Sequence, residues 1–284
     1  MLKRIITALL AFIVFIPVLV FSGTIVLPIA LAIVIVVSLY EIAKCMNMHK
    51  AYALTIPLYL FGAGTVFLVY RQGLLDTTDR FVTIAKVGFI FAIVYMIYMF
   101  AVVIWSNGKL KFNDACTMCL MSLYIVISVS MIVYLRALER GEFIYLLVFI
   151  GAWSTDIFAY FTGMLIGKHK LIESISPKKT IEGSIGGIVF CSLFFVALGI
   201  VGNSFFGTNA NLIFLAICGV FISMISKIGD LVMSAIKRTY GIKDFGTIFP
   251  GHGGMLDRFD SILAVALGVA AMYMIGHVLG IPVM

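Results

Sequence analysis

The sequence predicts an all-α, polytopic integral membrane protein with about nine transmembrane helices and a cytoplasmic N-terminus. Of the 284 residues, 63% are hydrophobic and only 12% are charged, and the mean hydropathy is +1.17. The apolar runs are too long to be core strands, and they lack the alternating polarity of barrel strands. Because only helices and closed barrels satisfy their backbone polar groups in lipid, these runs indicate helices.

Nine apolar segments follow one another along the chain, each long enough to cross a bilayer. Lys3 and Arg4 precede the first segment, and no small-residue cleavage site follows it, so we expect an uncleaved first span. The predicted spans lie near residues 5–21, 25–43, 52–70, 81–105, 115–135, 143–166, 185–206, 211–235 and 261–281.

Positive charge is unevenly distributed over the connections between these spans. With the N-terminus inside, the outer connections carry only four basic residues, Arg71, Arg80, Arg136 and Arg140. Such a bias is typical of membrane proteins and predicts nine spans with the C-terminus outside. The net charge of +7 therefore reflects orientation and does not indicate nucleic-acid binding. The 14 inner basic residues are Lys3, Arg4, Lys44, Lys50, Lys109, Lys111, Lys168, Lys170, Lys178, Lys179, Lys237, Arg238, Lys243 and Arg258.

The chain divides near residue 140 into two regions of different character. Residues 1–140 are chemically uniform and are predicted to form a scaffold of about five spans that contacts lipid. Within them Glu41, near the cytoplasmic end of the second span, either pairs with a neighbour or reaches water. Residues 141–284 are predicted to form the catalytic transmembrane region, with cytoplasmic loops at 167–184 and 236–260.

The sixth span places Asp156 in the middle of an apolar helix. An ionisable residue within the membrane is a functional hypothesis by default, and a structural hydrogen bond is the alternative. Gly163 and Gly167 have a spacing that favours close packing of another helix. In the next loop, Lys178 and Lys179 suit phosphate binding, although such a basic loop also sets orientation beside anionic lipid.

The eighth span carries a polar stripe along an otherwise apolar helix. This stripe predicts a wet cavity rather than a lipid-facing surface. A transporter would use such a stripe equally well as an ion path, so the stripe alone does not separate the two classes. Its members are Ser223, Ser226, Lys227, Asp230 and Ser234.

A glycine-rich loop and two carboxylates follow the eighth span. Glycines at 251, 253 and 254 allow backbone N–H groups to approach an anion closely. If Gly254 precedes a helix, Asp257 and Asp260 share one face of its first turn. Together with Asp230, these carboxylates lie near lysines and arginines, a combination that suggests metal-assisted phosphoryl or nucleotidyl transfer. His252 is interpreted either as a hydrogen-bond donor to phosphate or as a structural turn residue.

The stretch from Ser234 to Asp260, about 27 residues, resembles the signature of the phosphatidate cytidylyltransferase (CDP-diacylglycerol synthase) family. The matching pieces read Ser234-x-Ile-Lys237-Arg238, then Lys243-Asp244-x-Gly246, then Ile-Phe-Pro-Gly-His252-Gly-Gly-Met-x-Asp257-Arg258-Phe-Asp260. Two upstream stretches, Asp156-x2-Ala-Tyr-x2-Gly163 and Ile-Ser-Pro-Lys178-Lys179-Thr-x-Glu-Gly183, are also similar to this family. The sequence departs from the family at Lys227, where a neutral residue such as Gln is usual.

The resemblance implies a reaction of phospholipid biosynthesis in which CTP and phosphatidic acid give CDP-diacylglycerol and pyrophosphate. The nucleophile is a phosphate-monoester oxygen that is already largely ionised near neutral pH, so no general base or covalent intermediate is required. The reaction needs in-line alignment of two anions and neutralisation of their charge. The chain accordingly shows no Ser/His/Asp or Cys/His arrangement.

The resemblance also implies roles for individual residues. Asp230, Asp257 and Asp260 are expected to bind Mg²⁺, and a second metal or a monovalent cation stays open. Lys178 and Lys179 would hold the pyrophosphate or the lipid phosphate, and Asp156 would organise the cavity. CTP is expected to contact Lys237, Arg238, Lys243, Gly253, Gly254 and Arg258. The full set assigned to catalysis is Asp156, Lys178, Lys179, Asp230, Lys237, Arg238, Lys243, Asp244, His252, Asp257, Arg258 and Asp260.

Two rival interpretations stand beside this one, an enzyme of similar chemistry and a protein of a different class. The first is a CTP-using lipid-alcohol kinase or a cytidylyltransferase for another lipid phosphate. The second is a transporter, which is disfavoured because the chain shows no internal repeat and keeps its charges at the predicted cytoplasmic surface. The expected partners are CTP, phosphatidic acid and membrane lipid, without nucleic acid, and both a monomer and a homodimer stay open. The expected location is a bacterial cytoplasmic (inner) membrane, with the active site on the cytoplasmic side.

Overall fold

The computed structural model describes the backbone of residues 2–74, 80–106, 108, 110–173 and 176–284. The side chains of residues 2–10, 80, 81 and 84 are not described. Part of the charge pattern used above therefore lies outside the described residues, namely the side chains of Lys3, Arg4 and Arg80 and the whole of Lys109.

Over these described ranges the chain forms ten α-helices and one short β-hairpin. The helices before the hairpin are α1 Leu2–Val20, α2 Val26–Cys45, α3 Tyr52–Leu74, α4 Arg80–Trp105, α5 Phe112–Arg136, α6 Gly141–Ile144 and α7 Leu146–Ile166. The hairpin consists of β1 Lys170–Ile172 and β2 Ser176–Thr180, and it is followed by α8 Ile181–Phe205, α9 Leu212–Thr239 and α10 Leu256–Leu279.

Eight membrane-length apolar segments are found among the described residues, formed by α2 to α5 and α7 to α10, with α6 joined to α7. The predicted first span coincides with α1, of which the described part contributes the shorter apolar segment Ala11–Val20. The protein is therefore an all-α integral membrane protein, as predicted. A crossing of the membrane by α1, which would make nine spans, and the cytoplasmic N-terminus stay predictions.

Two helices begin earlier than the predicted spans because hydropathy does not detect a polar first turn. Helix α8 begins at Ile181, where Thr180 caps it by accepting the Gly183 N–H at 3.1 Å. Helix α10 begins at Leu256 and not near 261, so its polar first turn belongs to the helix. Gly254 therefore precedes a helix, as the prediction for Asp257 and Asp260 required, and both carboxylates lie at the start of α10.

The loop predicted at 167–184 contains regular structure. Lys170 pairs with Thr180 and Ile172 with Ser176 in an antiparallel hairpin. Pro177, which the sequence marks as a helix breaker, lies in β2, a position that a two-stranded edge tolerates. The last residue of β2, Thr180, is also the N-cap of α8, so the hairpin leads directly into this helix.

The chain folds as two compact units. The first unit comprises Met1–Ala137 and Asp244–Asp257, and the second comprises Leu138–Lys243 and Arg258–Met284. Residues 244–257, which we call the glycine-rich segment, therefore belong to the same compact unit as the N-terminal helices. The predicted division of roles near residue 140, into scaffold and catalytic region, stays a prediction.

The first unit is built around α2, α3 and α5, with α4 packed against α3 and α5. Ile35 on α2, Leu58 on α3 and Ile125 on α5 are fully buried in this core. Gly62 allows α3 to approach α2 closely, because a Cβ there would lie 2.6 Å from the Ile35 Cγ2 atom.

The second unit is built around α7, α8 and α9. A Cβ on Gly183 of α8 would lie 2.5 Å from the Ala159 carbonyl oxygen and 3.2 Å from the Gly163 Cα atom of α7. The close packing predicted at Gly163 is therefore present, and its partner is α8. Such glycine contacts let backbones pack tightly where lipid supplies no hydrophobic driving force between helices.

Candidate active site

An ion pair joins the hairpin to α9 within the second unit. Lys179 on β2 contacts the Asp230 carboxylate through its ammonium group. Ser234, one helical turn after Asp230, donates a hydrogen bond of 3.3 Å to the Asp230 Oδ1 atom. The pair places Lys179, a residue of the second upstream motif, against the polar stripe of α9, and neither spacing nor hydropathy predicts this contact.

Two further carboxylates of the second unit interact with Asp230. Asp156 on α7 and Asp260 on α10 each interact electrostatically with it. Ser261 joins these two groups, since its hydroxyl donates to the Asp156 Oδ2 atom at 3.0 Å and its backbone N–H donates to the Asp260 Oδ1 atom at 2.8 Å. Three helices thus bring Asp156, Asp230 and Asp260 together, and we call these residues with Lys179 the acidic cluster.

Lys227 adds a second cation to the surroundings of the acidic cluster. Its ammonium group donates to the Ser184 carbonyl oxygen on α8 and interacts electrostatically with Asp156. The sequence places Lys227 on the polar stripe, as an extra cation near Asp230 that would replace a monovalent metal or tighten phosphate binding, but it is not among the predicted site residues. The available signal was the lysine itself, because a cation within a span needs an anionic partner. Ser261 carried no comparable signal.

The glycine-rich segment of the first unit is closed by Asp257. The Asp257 Oδ2 atom accepts the backbone N–H groups of Phe245 at 2.8 Å and Gly254 at 2.9 Å. Between them, the Phe249 N–H donates to the Gly253 carbonyl oxygen at 2.9 Å, and Gly253 adopts a positive φ of 88°. Asp257 is buried, and these two hydrogen bonds to its carboxylate hold the turn together.

Glu41 is the residue of this region that sequence reasoning left without a site role. It lies on α2 and is buried, with 1% of its surface exposed. Its two carboxylate oxygens accept the backbone N–H groups of Met255 and Leu256, at 2.9 Å and 2.8 Å. Of the two alternatives stated above, pairing with a neighbour is the one observed.

Most of the predicted phosphate-binding cations are exposed. Lys237 and Lys179 are the exceptions: Lys237 is buried at 8% exposure near the end of α9, and the Lys179 side chain is half-buried. Arg238 donates to the Ile242 carbonyl oxygen at 3.3 Å, within the turn that follows α9. The buried Nδ1 atom of His252 has no hydrogen-bond partner in the part of the chain that the structure describes. The exposed predicted residues are Lys178, Arg238, Lys243, Asp244 and Arg258.

The predicted site residues therefore fall into two groups. Asp156, Lys179, Asp230 and Asp260 come together in the second unit. Asp244, His252, Gly253, Gly254 and Asp257 lie in the glycine-rich segment of the first unit. The individual roles in catalysis, CTP binding and metal binding stay predictions.

The donor set is chemically suited to a magnesium ion that arrives with a polyphosphate. Within the described residues, no three His, Cys, Asp or Glu side chains are gathered closely enough to hold a metal by themselves. Mg²⁺ typically takes one or two carboxylates, and substrate phosphates and water complete its octahedron. The carboxylate oxygens of Asp230 and Asp260 match this requirement.

Comparison with known proteins assigns the chain to a family. The model of the cytidylyltransferase family matches residues 2–276, almost the whole sequence. The chain belongs to this family. Proteins named phosphatidate cytidylyltransferase from Staphylococcus epidermidis and Staphylococcus aureus (strain COL) are 33% and 36% identical to it over 262 residues. Each alignment covers 92% of this chain and 95% of the relative.

Membership in the cytidylyltransferase family confirms the resemblance found in the sequence and extends it over both halves of the chain. The sequence motifs covered the C-terminal half well, whereas the N-terminal half agreed only in being hydrophobic. The family match includes α2, and with it Glu41. Members of this family are nucleotidyl-transferring enzymes, so the transporter interpretation is not supported.

Proposed function

We propose that this protein is a phosphatidate cytidylyltransferase, which converts CTP and phosphatidate to CDP-diacylglycerol and pyrophosphate by in-line attack of the lipid phosphate. Family membership and the names of the staphylococcal relatives support the reaction. The structural observation that carries the proposal is the acidic cluster, whose three carboxylates lie on membrane helices. Charged groups at such positions are costly in lipid and are characteristic of functional sites.

The proposed chemistry needs charge neutralisation and alignment more than acid–base catalysis. A phosphate oxygen of phosphatidate forms a bond to the α-phosphorus of CTP while the bond to the bridging pyrophosphate oxygen breaks. The protein must hold these two anions in line and offset their repulsion. Lys179, oriented by its ion pair with Asp230, would hold a phosphate group, with exposed Lys178 beside it in the chain. The cations proposed for the CTP phosphates are Lys237, Arg238, Lys243 and Arg258.

A divalent cation completes the proposed charge balance. Asp230, Asp257 and Asp260 are the residues proposed to hold Mg²⁺. When bound, the ion would neutralise negative charge on the α-phosphate and on the departing pyrophosphate. Asp156 and Ser261 would keep the Asp260 end of the acidic cluster in place through their hydrogen bond.

The proposed location is a bacterial cytoplasmic membrane with the active site on the cytoplasmic side. The staphylococcal origin of the relatives supports the first part. The positive-inside distribution supports the second, because it predicts that the hairpin and the glycine-rich segment face the cytoplasm, where CTP is available.

Label transfer in detergent micelles tests the proposed reaction. Purified protein receives CTP labelled at the α-phosphate, phosphatidate and Mg²⁺, with and without EDTA. We expect label in the lipid phase only when metal is present, and a fall of at least about a hundredfold in the Asp257→Asn and Asp230→Asn variants. The Asp114→Asn variant, which changes a carboxylate at the start of α5 outside the signature, should retain activity.

The outcome also separates the rival interpretations. Label in the lipid phase with a different acceptor in a mixed-lipid assay would replace phosphatidate by that acceptor. Transfer of the γ-phosphate label of CTP instead of the α-phosphate label would identify a CTP-using kinase. Turnover by Asp230→Asn and Asp257→Asn at the unmodified rate would contradict the metal assignment.

A further inference from the structure

We propose that Glu41 is a positioning residue of this enzyme: it holds the glycine-rich segment and the first turn of α10, and thereby orients Asp257. This inference rests on the proposed function, in which Asp257 contributes to the metal and CTP site. It adds to the site a residue from the N-terminal half, the part of the chain predicted to be scaffold. All the residues that carry the argument belong to the first compact unit.

The backbone N–H groups at the start of α10 are satisfied by side chains. The first N–H groups of a helix have no partner within the helix and must be satisfied from outside. Here Gly254 donates to Asp257, while Met255 and Leu256 donate to the two oxygens of Glu41. Three consecutive N–H groups are therefore held by two carboxylates, only one of which is close in sequence.

Glu41 is buried, and the hydrogen bonds to its carboxylate offset the cost of that burial. Its side chain is 1% exposed, and a buried carboxylate is costly unless its oxygens are hydrogen-bonded. Both oxygens accept N–H groups at a helix N-terminus, where the helix dipole favours negative charge. Lys44, one turn further along α2, adds a favourable electrostatic interaction, whereas Asp257 adds an unfavourable one.

Two glycines of the glycine-rich segment lie directly against the Glu41 carboxylate, where a larger side chain would not fit. A Cβ on Gly254 would lie 2.3 Å from the Glu41 Oε1 atom, and all three of its nearest atoms would belong to the Glu41 carboxylate. A Cβ on Gly246 would also lie 2.3 Å from that oxygen. Gly254 does not have a positive φ, so its backbone does not itself require glycine. The close approach of Glu41 is the reason for a glycine at this position.

Glu41 acts on the reaction through Asp257. The Asp257 carboxylate accepts N–H groups from Phe245 and Gly254, and the Met255 and Leu256 N–H groups next to it are fixed by Glu41. Loss of the Glu41 contacts frees the two residues that precede Asp257. Small misplacements of an aligned group cost up to about a hundredfold in rate.

Hydrogen–deuterium exchange measured on the full-length protein in micelles tests the contact without reference to activity. The Glu41→Gln variant preserves size, but its NH₂ group must face an N–H donor. We expect exchange of the Met255 and Leu256 amides to rise at least about tenfold, in line with loss of hydrogen bonds to a charged group. The start of α9, where Asn211 caps the Phe214 N–H, serves as the internal control and should not change.

Steady-state kinetics of the same variant tests the consequence for the reaction. We expect kcat to fall about tenfold to a hundredfold, while the KM for phosphatidate changes less than about threefold. A residue that merely filled space would tolerate Gln without such a split. The Glu41→Asp variant keeps the negative charge on a side chain that is shorter by one methylene group. Its kcat should therefore lie between those of Glu41→Gln and the unmodified protein.

A double-mutant cycle with Gly254→Ala tests the steric part of the argument. In the unmodified protein, the new methyl group must displace the Glu41 carboxylate, so Gly254→Ala should lower the thermal unfolding midpoint. In the Glu41→Ala background the displaced atoms are gone, and the same substitution should have little further effect. This non-additivity is the signature expected of two positions in direct contact.

The outcomes distinguish failure of this inference from failure of the proposed function. Normal exchange and normal kcat in Glu41→Gln would overturn the inference, as would additive effects in the cycle. Faster exchange with an unchanged kcat would reduce Glu41 to a stabilising cap and overturn its positioning role. If the unmodified protein forms no product, the proposed function fails and with it the role in catalysis, whereas exchange still decides whether Glu41 holds the segment.

Discussion

Three carboxylates on the membrane helices, those of Asp156, Asp230 and Glu41, are each paired with a specific partner. Asp156 receives a hydrogen bond from Ser261, Asp230 pairs with Lys179, and Glu41 binds two backbone N–H groups. Each partner comes from a different helix or strand. A charged side chain in a membrane helix is costly without such a partner, so these pairs mark candidate functional positions.

Replacement of Lys227 tests this compensation at a residue that the family signature does not require. Lys227→Met leaves the Ser184 carbonyl oxygen without this donor and removes one of the two lysines that interact with Asp156, the other being Lys179. We expect a loss of about 1–3 kcal/mol in stability and a fall in turnover of about tenfold. The measurements are thermal unfolding of the purified protein and label transfer.

Lys86 provides the matched control for this prediction, because it is a lysine of α4 with an exposed side chain. Lys86→Met should leave both the unfolding midpoint and the turnover close to their unmodified values. Equal effects of the two substitutions would show that the loss follows from removing any membrane lysine and not from the partners of Lys227.

Glycine determines how closely the helices of the second unit pack. Gly183 lies where α8 meets α7, and Gly219 lies where α9 meets α8, with a Cβ position 2.5 Å from the Ser192 Cα atom. In lipid, close van der Waals packing replaces the hydrophobic effect as the force that joins helices. The approach of α7, α8 and α9 is what allows Asp156, Lys227 and Asp230 to interact.

Gly183→Ala is predicted to destabilise the protein, because its methyl group would meet the Ala159 carbonyl oxygen and the two backbones would have to move apart. Overpacking of this kind costs about 1–3 kcal/mol. Gly88→Ala on α4 is the control: nothing lies within 4 Å of its Cβ position, and alanine favours helix by about 0.5–1 kcal/mol. Unfolding midpoints that shift in the same direction for both variants would contradict the prediction.

At the scale of the whole molecule, the number of membrane crossings determines which side of the bilayer each connection faces. Eight membrane-length helices are present among the described residues, and α1, which coincides with the first predicted span, would make a ninth crossing. An odd number of crossings places the two termini on opposite sides of the bilayer. The proposed access of CTP to the hairpin and the glycine-rich segment depends on this arrangement.

Reporter fusions measure the topology directly. With nine spans and a cytoplasmic N-terminus, a periplasmic reporter should be active when fused after residue 140 or at the C-terminus. A cytoplasmic reporter should be active when fused within 167–184 or near Lys243. Activity of both terminal fusions on the same side would contradict nine spans and require an even number of crossings.

Much of this fold was predictable from the sequence because lipid imposes a simple rule. A spanning segment must be helical and apolar for about 20 residues, so the predicted spans coincide with the helices to within a few residues. The Gly254 to Asp260 segment was also predictable, since its spacing places Asp257 and Asp260 at the start of α10. The family signature is likewise local in sequence, which is why it was recognisable without the structure.

Tertiary structure alone decided which charges meet. Glu41 and Leu256 are 215 positions apart, and Asp156 and Ser261 are 105 positions apart, so no local pattern links them. Hydropathy treats Glu41 as one interruption in an apolar run, although its carboxylate closes the first turn of α10. The sequence determined the helices, their caps and the family, because these depend on neighbouring residues and on the solvent. The pairing of Lys179 with Asp230 and of Lys227 with Asp156 depends on how closely the glycine-lined helices pack, and only the folded chain specifies that distance.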